Sequence, residues 1–125
     1  MNKILQKNVL GEKLESCSND PLTGWFRDGC CNTDNTDHGI HTVCAKVTNK
    51  FLEWSKIAGN DLITPHPEFN FPGLKDGDCW CICAATYAQS IEAGTACKIF
   101  LKKTNYKTLE VVSLEKLKQY AIDLS

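Results

Sequence analysis

The alternating segment Cys79 to Cys83, C-W-C-I-C, limits the possible folds of this chain more than any other feature. Successive side chains of a strand point to opposite faces, so the cysteines line one face while Trp80 and Ile82 line the other. Aromatic, aliphatic and thiol side chains are all commonly buried. We therefore predict a central strand that is covered on both faces. The preceding Asp76-Gly77 pair favours a turn that leads the chain into this strand.

Length and charge limit the class of protein. At 125 residues the chain is expected to form a single domain, 1–125. Hydrophobic residues make up 42%, charged residues 23%, and the net charge is -1, so there is no electrostatic reason to expect nucleic acid or an anionic membrane. No window approaches the about 18 apolar residues of a membrane span, and the first seven residues lack the apolar region of a signal peptide. We expect a cytoplasmic protein without a nucleic-acid or membrane partner, and the oligomeric state is left open.

Hydrophobic periodicity predicts further elements on both sides of the central strand. Thr48 is expected to cap the helix that follows the first strand, and Ser113 the last helix. The order of strands and helices predicts an α+β fold: a small mixed β-sheet with about three packed helices and two long ordered loops. In chain order we predict an irregular arm over 1–16, a strand over 40–47, a helix over 48–58, a helix from 84 to Gly94, a strand over 97–102, an extended piece over 109–112, and a helix from 114 whose Ala121 and Leu124 face inward.

Two segments, 17–39 and 60–78, show neither helical nor strand periodicity. Segments of this length are uncommon in compact domains and are usually functional or disordered. We interpret Trp25 and Phe26 as buried, which argues against disorder in the first segment. The prolines and phenylalanines of the second indicate an ordered loop, and ordered loops often carry function.

A long series of short sequence patterns resembles a known family. The patterns are Asn8–Gly11, Cys17, Pro21–Cys31, His41–Ala45, Gly59–Leu62, Thr64–Pro65, Phe71–Lys75 and Trp80–Ala84. This series covers nearly the whole chain and closely resembles the uncharacterised, mostly bacterial family known as domain of unknown function 2237. The resemblance implies a compact fold and an intracellular setting, and it implies no activity. Thr86-Tyr87 and Cys97 depart from the family pattern, so Cys79 and Cys97 are interpreted as local additions.

The eight cysteines raise the question of metal and disulfides. In a reducing compartment a disulfide framework is unexpected, so we predict eight reduced thiols, most of them buried. A tetrahedral metal site is disfavoured because the chain has no C-x-x-C pair, and because His41 and Cys44 fall on opposite faces of a strand unless that strand bulges. The alternative is a thiol-rich metal-binding or redox protein that uses Cys17, Cys30, Cys31, Cys81 and Cys83.

Thiol catalysis requires a thiolate stabilised by a cation, a histidine or a helix N-terminus. The candidate catalytic residues are Cys30, which lies three residues after Arg27, together with His41, Cys81 and Cys83. No known nucleophile signature accompanies them. The competing interpretation is that most cysteines are small buried hydrophobic residues. Whether the protein is an enzyme therefore stays open.

A ligand pocket between the two long loops is the favoured interpretation. Arg27 is the only arginine among fourteen basic residues, and its planar guanidinium suits a carboxylate or phosphate in a way that lysine does not. The best hypothesis is a small cytoplasmic domain with a polar, cysteine-lined pocket that binds a small anionic molecule without a cofactor, and the transformation of that molecule is left open. A protein interaction module without chemistry is a further alternative. The predicted ligand-binding residues are Arg27, Asp28, Asn60, Asp61 and Thr64.

The absence of a C-x-x-C pair leads to a prediction on metal content. Protein purified without chelator is expected to carry well below one equivalent of zinc or iron. Elemental analysis checks this, and a content near one equivalent favours the metal-binding alternative.

Overall fold

The computed structural model describes residues 6–123, and three strands and three α-helices alternate along this part of the chain. The α+β class predicted from the sequence is confirmed. None of the helices between residues 6 and 123 has the length and apolar character that crossing a membrane requires. The elements are β1 (His41–Lys46), α1 (Asn49–Ile57), β2 (Cys79–Cys83), α2 (Ala84–Glu92), β3 (Lys98–Ile99) and α3 (Leu114–Lys118), with 3-10 helices at Pro67–Phe69, Leu101–Lys103 and Tyr106–Glu110.

The sheet has the order β2-β1-β3, and both pairings are antiparallel. The predicted mixed sheet is therefore wrong, although one isolated parallel bridge joins Ile99 to Ala121. The predicted central position of β2 is also wrong, since β1 is the middle strand. The prediction rested on burial. Trp80, Cys81 and Ile82 are indeed buried, so both faces of β2 are covered. Covered faces do not show whether a strand has a neighbour at each edge, however.

A β-bulge in β1 decides where His41 points. The register pairs His41 with Cys83 and Cys44 with Cys81, and it shifts between His41 and Val43. Residues directly opposite each other in a sheet share a face. His41 and Cys44 therefore lie on the same face of the sheet as Cys81 and Cys83. In a regular strand, His41 and Cys44 would lie on opposite faces. A bulge commonly redirects a side chain in this way.

The helix caps confirm the predicted helix starts. The Thr48 hydroxyl accepts from the Phe51 amide at 3.2 Å and begins α1. The Ser113 hydroxyl accepts from the Lys116 amide at 3.2 Å and begins α3. We predicted that this last helix would include Ala121, but it ends at Lys118. The expected contribution of Leu124, like that of Ile4 and Leu5 in the arm, lies outside the described residues.

The two predictions between α2 and α3 need correction. The strand predicted over 97–102 contains only Lys98–Ile99, because the amides of Leu101 and Lys102 donate to the Asp123 carboxylate instead of a neighbouring strand. The first half of the extended piece predicted over 109–112 is the end of the 3-10 helix Tyr106–Glu110, and Val111 and Val112 follow it in a turn. The Asn105 side chain starts this helix by accepting from the Lys107 amide at 2.9 Å.

Each face of the sheet covers a different core. One face packs Val43, Ala45 and Ile82 with the helices in a large aliphatic and aromatic core. The opposite face packs a small buried cluster of sulfur atoms, contributed by Cys17, Cys31, Cys44 and Cys81. We call these four residues the cysteine cluster. Segment 17–39, which we call the first loop, supplies two of them.

All eight cysteines lie within the described residues, and the cysteine cluster forms two disulfides. Cys17 bonds to Cys44 of β1 and Cys31 bonds to Cys81 of β2. The prediction of eight reduced thiols is therefore wrong for this structure. That prediction rested on an expected reducing compartment and not on which cysteines could meet. The bonded pairs are 27 and 50 residues apart and meet because the first loop folds onto the sheet.

The disulfides change the expected thiol count. Unreduced protein unfolded in denaturant should react with four equivalents of thiol reagent, because only Cys30, Cys79, Cys83 and Cys97 lie outside the disulfides. Thiol titration with and without prior reduction measures this difference, and reduced protein serves as the eight-thiol control. Eight thiols without reduction would contradict the observed pairing.

Candidate functional site

A cavity of about 250 Å³ lies between the first loop and the outer edge of β2. The Cys81 amide joins the two by donating to the Thr23 hydroxyl at 2.9 Å. This bond replaces the strand partner that β2 lacks on that side. We call the space the arginine cavity, and its lining residues are Thr23, Gly24, Trp25, Arg27, His41, Trp80 and Cys81.

Asp37 holds the imidazole of His41 at the edge of this cavity. Asp37 is buried, and its carboxylate accepts from the His41 amide at 2.8 Å, from the Thr33 hydroxyl at 3.0 Å and from the His41 ring Nδ1 at 2.6 Å. An ionised carboxylate only accepts, so the hydrogen of the neutral ring lies on Nδ1. The Nε2 atom has no hydrogen-bond partner among residues 6–123 and remains available to a ligand.

Trp25 covers the imidazole from the solvent side. Its ring stacks on His41 with the centroids 5.7 Å apart and the planes 9° apart. The indole Nε1 donates to the Thr36 hydroxyl at 3.2 Å, which fixes the ring orientation. Trp25 and Phe26 are 43% and 48% exposed, so their predicted burial is wrong. The first loop is held by its disulfides and hydrogen bonds rather than by these two aromatic rings.

Arg27 lies over the ring of Trp80, with its guanidinium carbon 5.1 Å from the ring centroid. A cation in this position is attracted to the aromatic face. The backbone of Arg27 is left-handed, with φ at 55°. This conformation costs about 1–2 kcal/mol for a residue with a side chain. Gly24 permits the tight turn, since a β-carbon there would lie 2.3 Å from the carbonyl oxygen of Cys30. The loop thus presents a strained arginine on an aromatic platform.

A second cavity, of about 210 Å³, lies on the other side of Arg27 and Trp80. It brings Arg27 of the first loop together with Asp61 and His66 of the second loop, segment 60–78. Residues of both loops therefore line this cavity. Asp61 is a carboxylate, however, and an anion is repelled there. The arginine cavity is the better place for an anion because its described lining contains no carboxylate.

Asp61 organises its own loop. Its oxygens accept from the amides of Ile63 and Thr64 and from the Thr64 hydroxyl. The hydrogen bond from the Thr64 hydroxyl is the main reason why the pKa of Asp61 falls from 3.8 to about 2. Two of the predicted ligand-binding residues therefore make hydrogen bonds within the protein. The Thr64 hydroxyl donates to Asp61, and the Asn60 backbone carbonyl accepts from the Ser55 hydroxyl at 2.8 Å.

Asp28 is also engaged within the protein. One oxygen accepts from the Cys30 amide at 3.1 Å and the other from the Asn32 side chain at 2.9 Å. Both contacts lie within the first loop and stabilise the turn that follows Arg27. Asp28 therefore orients the loop, and it is absent from the lining of the arginine cavity.

The four candidate catalytic residues fall in different places. His41 and Cys81 line the arginine cavity, but Cys81 is bonded to Cys31. Cys30 lines another cavity, beside Lys102. Cys83 is half-buried at the end of β2, opposite His41. The chain thus presents no described cysteine thiol to the His41 imidazole within this cavity while the disulfide is closed.

The cysteine cluster contains a close group of potential metal ligands. The sulfur atoms of Cys17, Cys31 and Cys81 all lie within 4.8 Å of one another, and each residue is buried. Of the set named for the metal-binding alternative, these three come together while Cys30 and Cys83 do not belong to the group. Cys44 joins them through its bond to Cys17. Burial raises the pKa of the Cys79 thiol and raises that of the Cys97 thiol to about 12, which makes these two thiols poorly reactive.

Sequence reasoning missed Asp37, Thr23 and Trp80 as parts of the site. The spacing of Asp37 and His41, four residues apart across a glycine, was a usable signal for an oriented histidine. Thr23 carried no comparable signal, because its bond to the Cys81 amide spans 58 residues. Trp80 was assigned to the core, which is correct, but its position in an edge strand also exposes it to the cavity.

The Thr64 contact predicts the titration of Asp61. A depressed pKa stabilises the folded chain above the ordinary value of 3.8, and this contribution is lost as the pH falls through about 2. In Thr64→Val the pKa of Asp61 should rise toward 3.8, as measured by carbon NMR of the carboxyl group. Asp34, whose pKa is lowered by Thr36 in the same manner, is the internal control and should not move. An unchanged Asp61 would show that the Thr64 hydroxyl is not the main cause.

Comparison with known proteins places the chain in a family. The model of the family described as an uncharacterised protein conserved in bacteria, DUF2237, matches residues 7–121. The chain belongs to this family, which confirms the resemblance found in the sequence. No curated protein matches the chain.

Proposed function

We propose that this member of the DUF2237 family binds a small anionic molecule in the arginine cavity. The observation that carries the proposal is that Arg27 and His41 line the same cavity. A guanidinium offers paired hydrogen-bond donors to a carboxylate or phosphate. The Nε2 atom of His41 adds an acceptor when the ring is neutral and a donor when the ring is protonated.

The walls of the cavity favour a ligand with a planar part. Trp25 and Trp80 supply aromatic surface, while the Thr23 hydroxyl and the loop backbone supply polar groups. Binding sites commonly combine apolar walls with a few polar groups that orient the ligand. The volume of about 250 Å³ is below the about 300–1,000 Å³ of pockets for drug-sized molecules. The proposed ligand is accordingly a small carboxylate or phosphate with an unsaturated or aromatic portion.

The backbone around the cavity supports a binding role. In the described part of the chain, three residues other than glycine have positive φ, and two of them are Arg27 and Ile40. Arg27 contributes to the cavity, and Ile40 directly precedes His41. Strained backbone persists where the surrounding structure holds it, and it concentrates at functional sites.

We further propose a cytoplasmic location for the protein, because the family resemblance implies an intracellular setting.

Substitution of Arg27 tests the proposal. A panel of small carboxylates and phosphates is first screened for thermal stabilisation of the wild-type protein, because a ligand at 100 times its Kd adds about 2.7 kcal/mol. Arg27→Lys should weaken binding of any hit at least tenfold, which corresponds to about 1.4 kcal/mol, because lysine lacks the planar pair of donors. Calorimetric titration measures the affinity.

Lys103 provides a matched control. Its ammonium lies 4.5 Å from the ring centroid of Phe100, so Lys103→Arg makes the reverse exchange of cations over an aromatic ring, away from the residues that line the arginine cavity. Lys103→Arg should leave ligand affinity unchanged. The proposal fails if no anion stabilises the wild-type protein, or if Arg27→Lys binds the hit as tightly as wild type.

A further inference from the structure

We propose that the cysteine cluster has a second state, in which both disulfides are reduced and the four sulfur atoms hold one zinc ion. The cluster brings together Cys17 and Cys31 from the first loop, Cys44 from β1 and Cys81 from β2. Four thiolates are the ligand set of structural zinc sites. The site is distinct from the proposed anion contacts of Arg27 and His41.

The distances suit one metal ion. With zinc–sulfur bonds of about 2.3 Å, the sulfur atoms of a tetrahedral site lie about 3.8 Å apart. The sulfurs of Cys17, Cys31 and Cys81 already lie within 4.8 Å of one another. The Cys44 sulfur is bonded to that of Cys17 and therefore lies beside this group. Once both disulfides are reduced, rotation of the cysteine side chains would bring the four sulfurs to the tetrahedral spacing.

The sheet preorganises half of the site. Cys44 and Cys81 are direct partners in the antiparallel register of β1 and β2, so their side chains share a face at close range. Within the first loop, the Cys17 amide donates to the Gly29 carbonyl at 2.7 Å, which fixes the backbone that carries Cys17. The Cys31 carbonyl accepts from the Asn105 side chain at 3.1 Å. These contacts do not involve sulfur and would persist after reduction.

Burial and connectivity explain what the metal would do. The four cysteines are between 0% and 6% exposed, which matches a closed structural site with no open position for a substrate. Reduction alone would remove both covalent links between the first loop and the sheet. A single zinc ion bound by the same four residues would restore both connections, so that binding energy becomes folding energy.

The chemistry of the interconversion balances. Each disulfide takes two electrons and two protons from one small dithiol, which becomes a cyclic disulfide, and two protein thiols are formed. The four thiols then release four protons as Zn²⁺ binds. The sequence-based expectation of a protein nearly free of metal therefore applies to the disulfide form, while the reduced form carries the ion.

Metal titration of the full chain in both redox states tests the inference. Protein reduced anaerobically with a phosphine and freed of metal should bind one Zn²⁺ per chain in competition with a chromophoric chelator. The unreduced protein should bind less than a tenth of an equivalent. Zinc should also raise the melting temperature of the reduced protein, and Co²⁺ should give the absorption bands of tetrahedral thiolate coordination.

Single substitutions identify the ligands. Cys81→Ser, within the cluster, should weaken zinc binding by reduced protein at least tenfold, whereas Cys83→Ser, two residues away on the same strand and outside the cluster, should not change it. Should Cys81→Ser fail to fold, X-ray absorption of the wild-type zinc form should count four sulfur ligands at about 2.3 Å. The inference is overturned if reduced wild type binds less than half an equivalent, if two or fewer sulfurs are found, or if Cys83→Ser loses binding equally.

Discussion

The attachment of the first loop to the sheet through the cysteine cluster is the constraint on which the rest of the structure depends. The loop has no helix or strand of its own, yet it supplies Thr23, Trp25 and Arg27 to the cavity. The Cys17–Cys44 and Cys31–Cys81 bonds join residues 27 and 50 positions apart, and cross-links of this kind typically contribute about 2–4 kcal/mol each. Together with the hydrogen bond from the Cys81 amide to Thr23, they fix the positions of Arg27 and Trp25 relative to β2.

The bulge in β1 places His41 next to the attached first loop. It turns His41 toward the side of the sheet that carries the cluster, and Asp37 then fixes the ring from within the first loop. One face of the small sheet therefore holds both a sulfur cluster and an oriented imidazole. The other face is occupied by the hydrophobic core, which gives the sheet the rigidity that a preformed site needs.

Several elements were predictable because their causes are local. The caps Thr48 and Ser113 act within three or four residues, and the alternation of Cys79–Cys83 reports burial on both faces directly. The choice of Arg27 as a cavity residue rested on its chemistry among lysines, and the structure places it in the cavity wall. Asp28, Asn60 and Thr64 were predicted to contact a ligand, and in the structure each takes part in a hydrogen bond within the protein. Polar loop residues bond to their own loop as readily as to a ligand, so their residue type does not distinguish the two roles.

Short-range patterns of side chains were sufficient to predict the order of helices and strands, the helix starts and the family. Which strand lies in the middle of the sheet, which cysteines meet and which nitrogen of His41 bonds to Asp37 depend on tertiary contacts. These features depend on contacts such as Thr23 with Cys81, Asn105 with Cys31, and Cys31 with Cys81, which span 58, 74 and 50 residues. Spacing along the chain cannot encode such pairs, because they form only when the first loop closes over the edge of β2 and excludes water from the sulfur cluster.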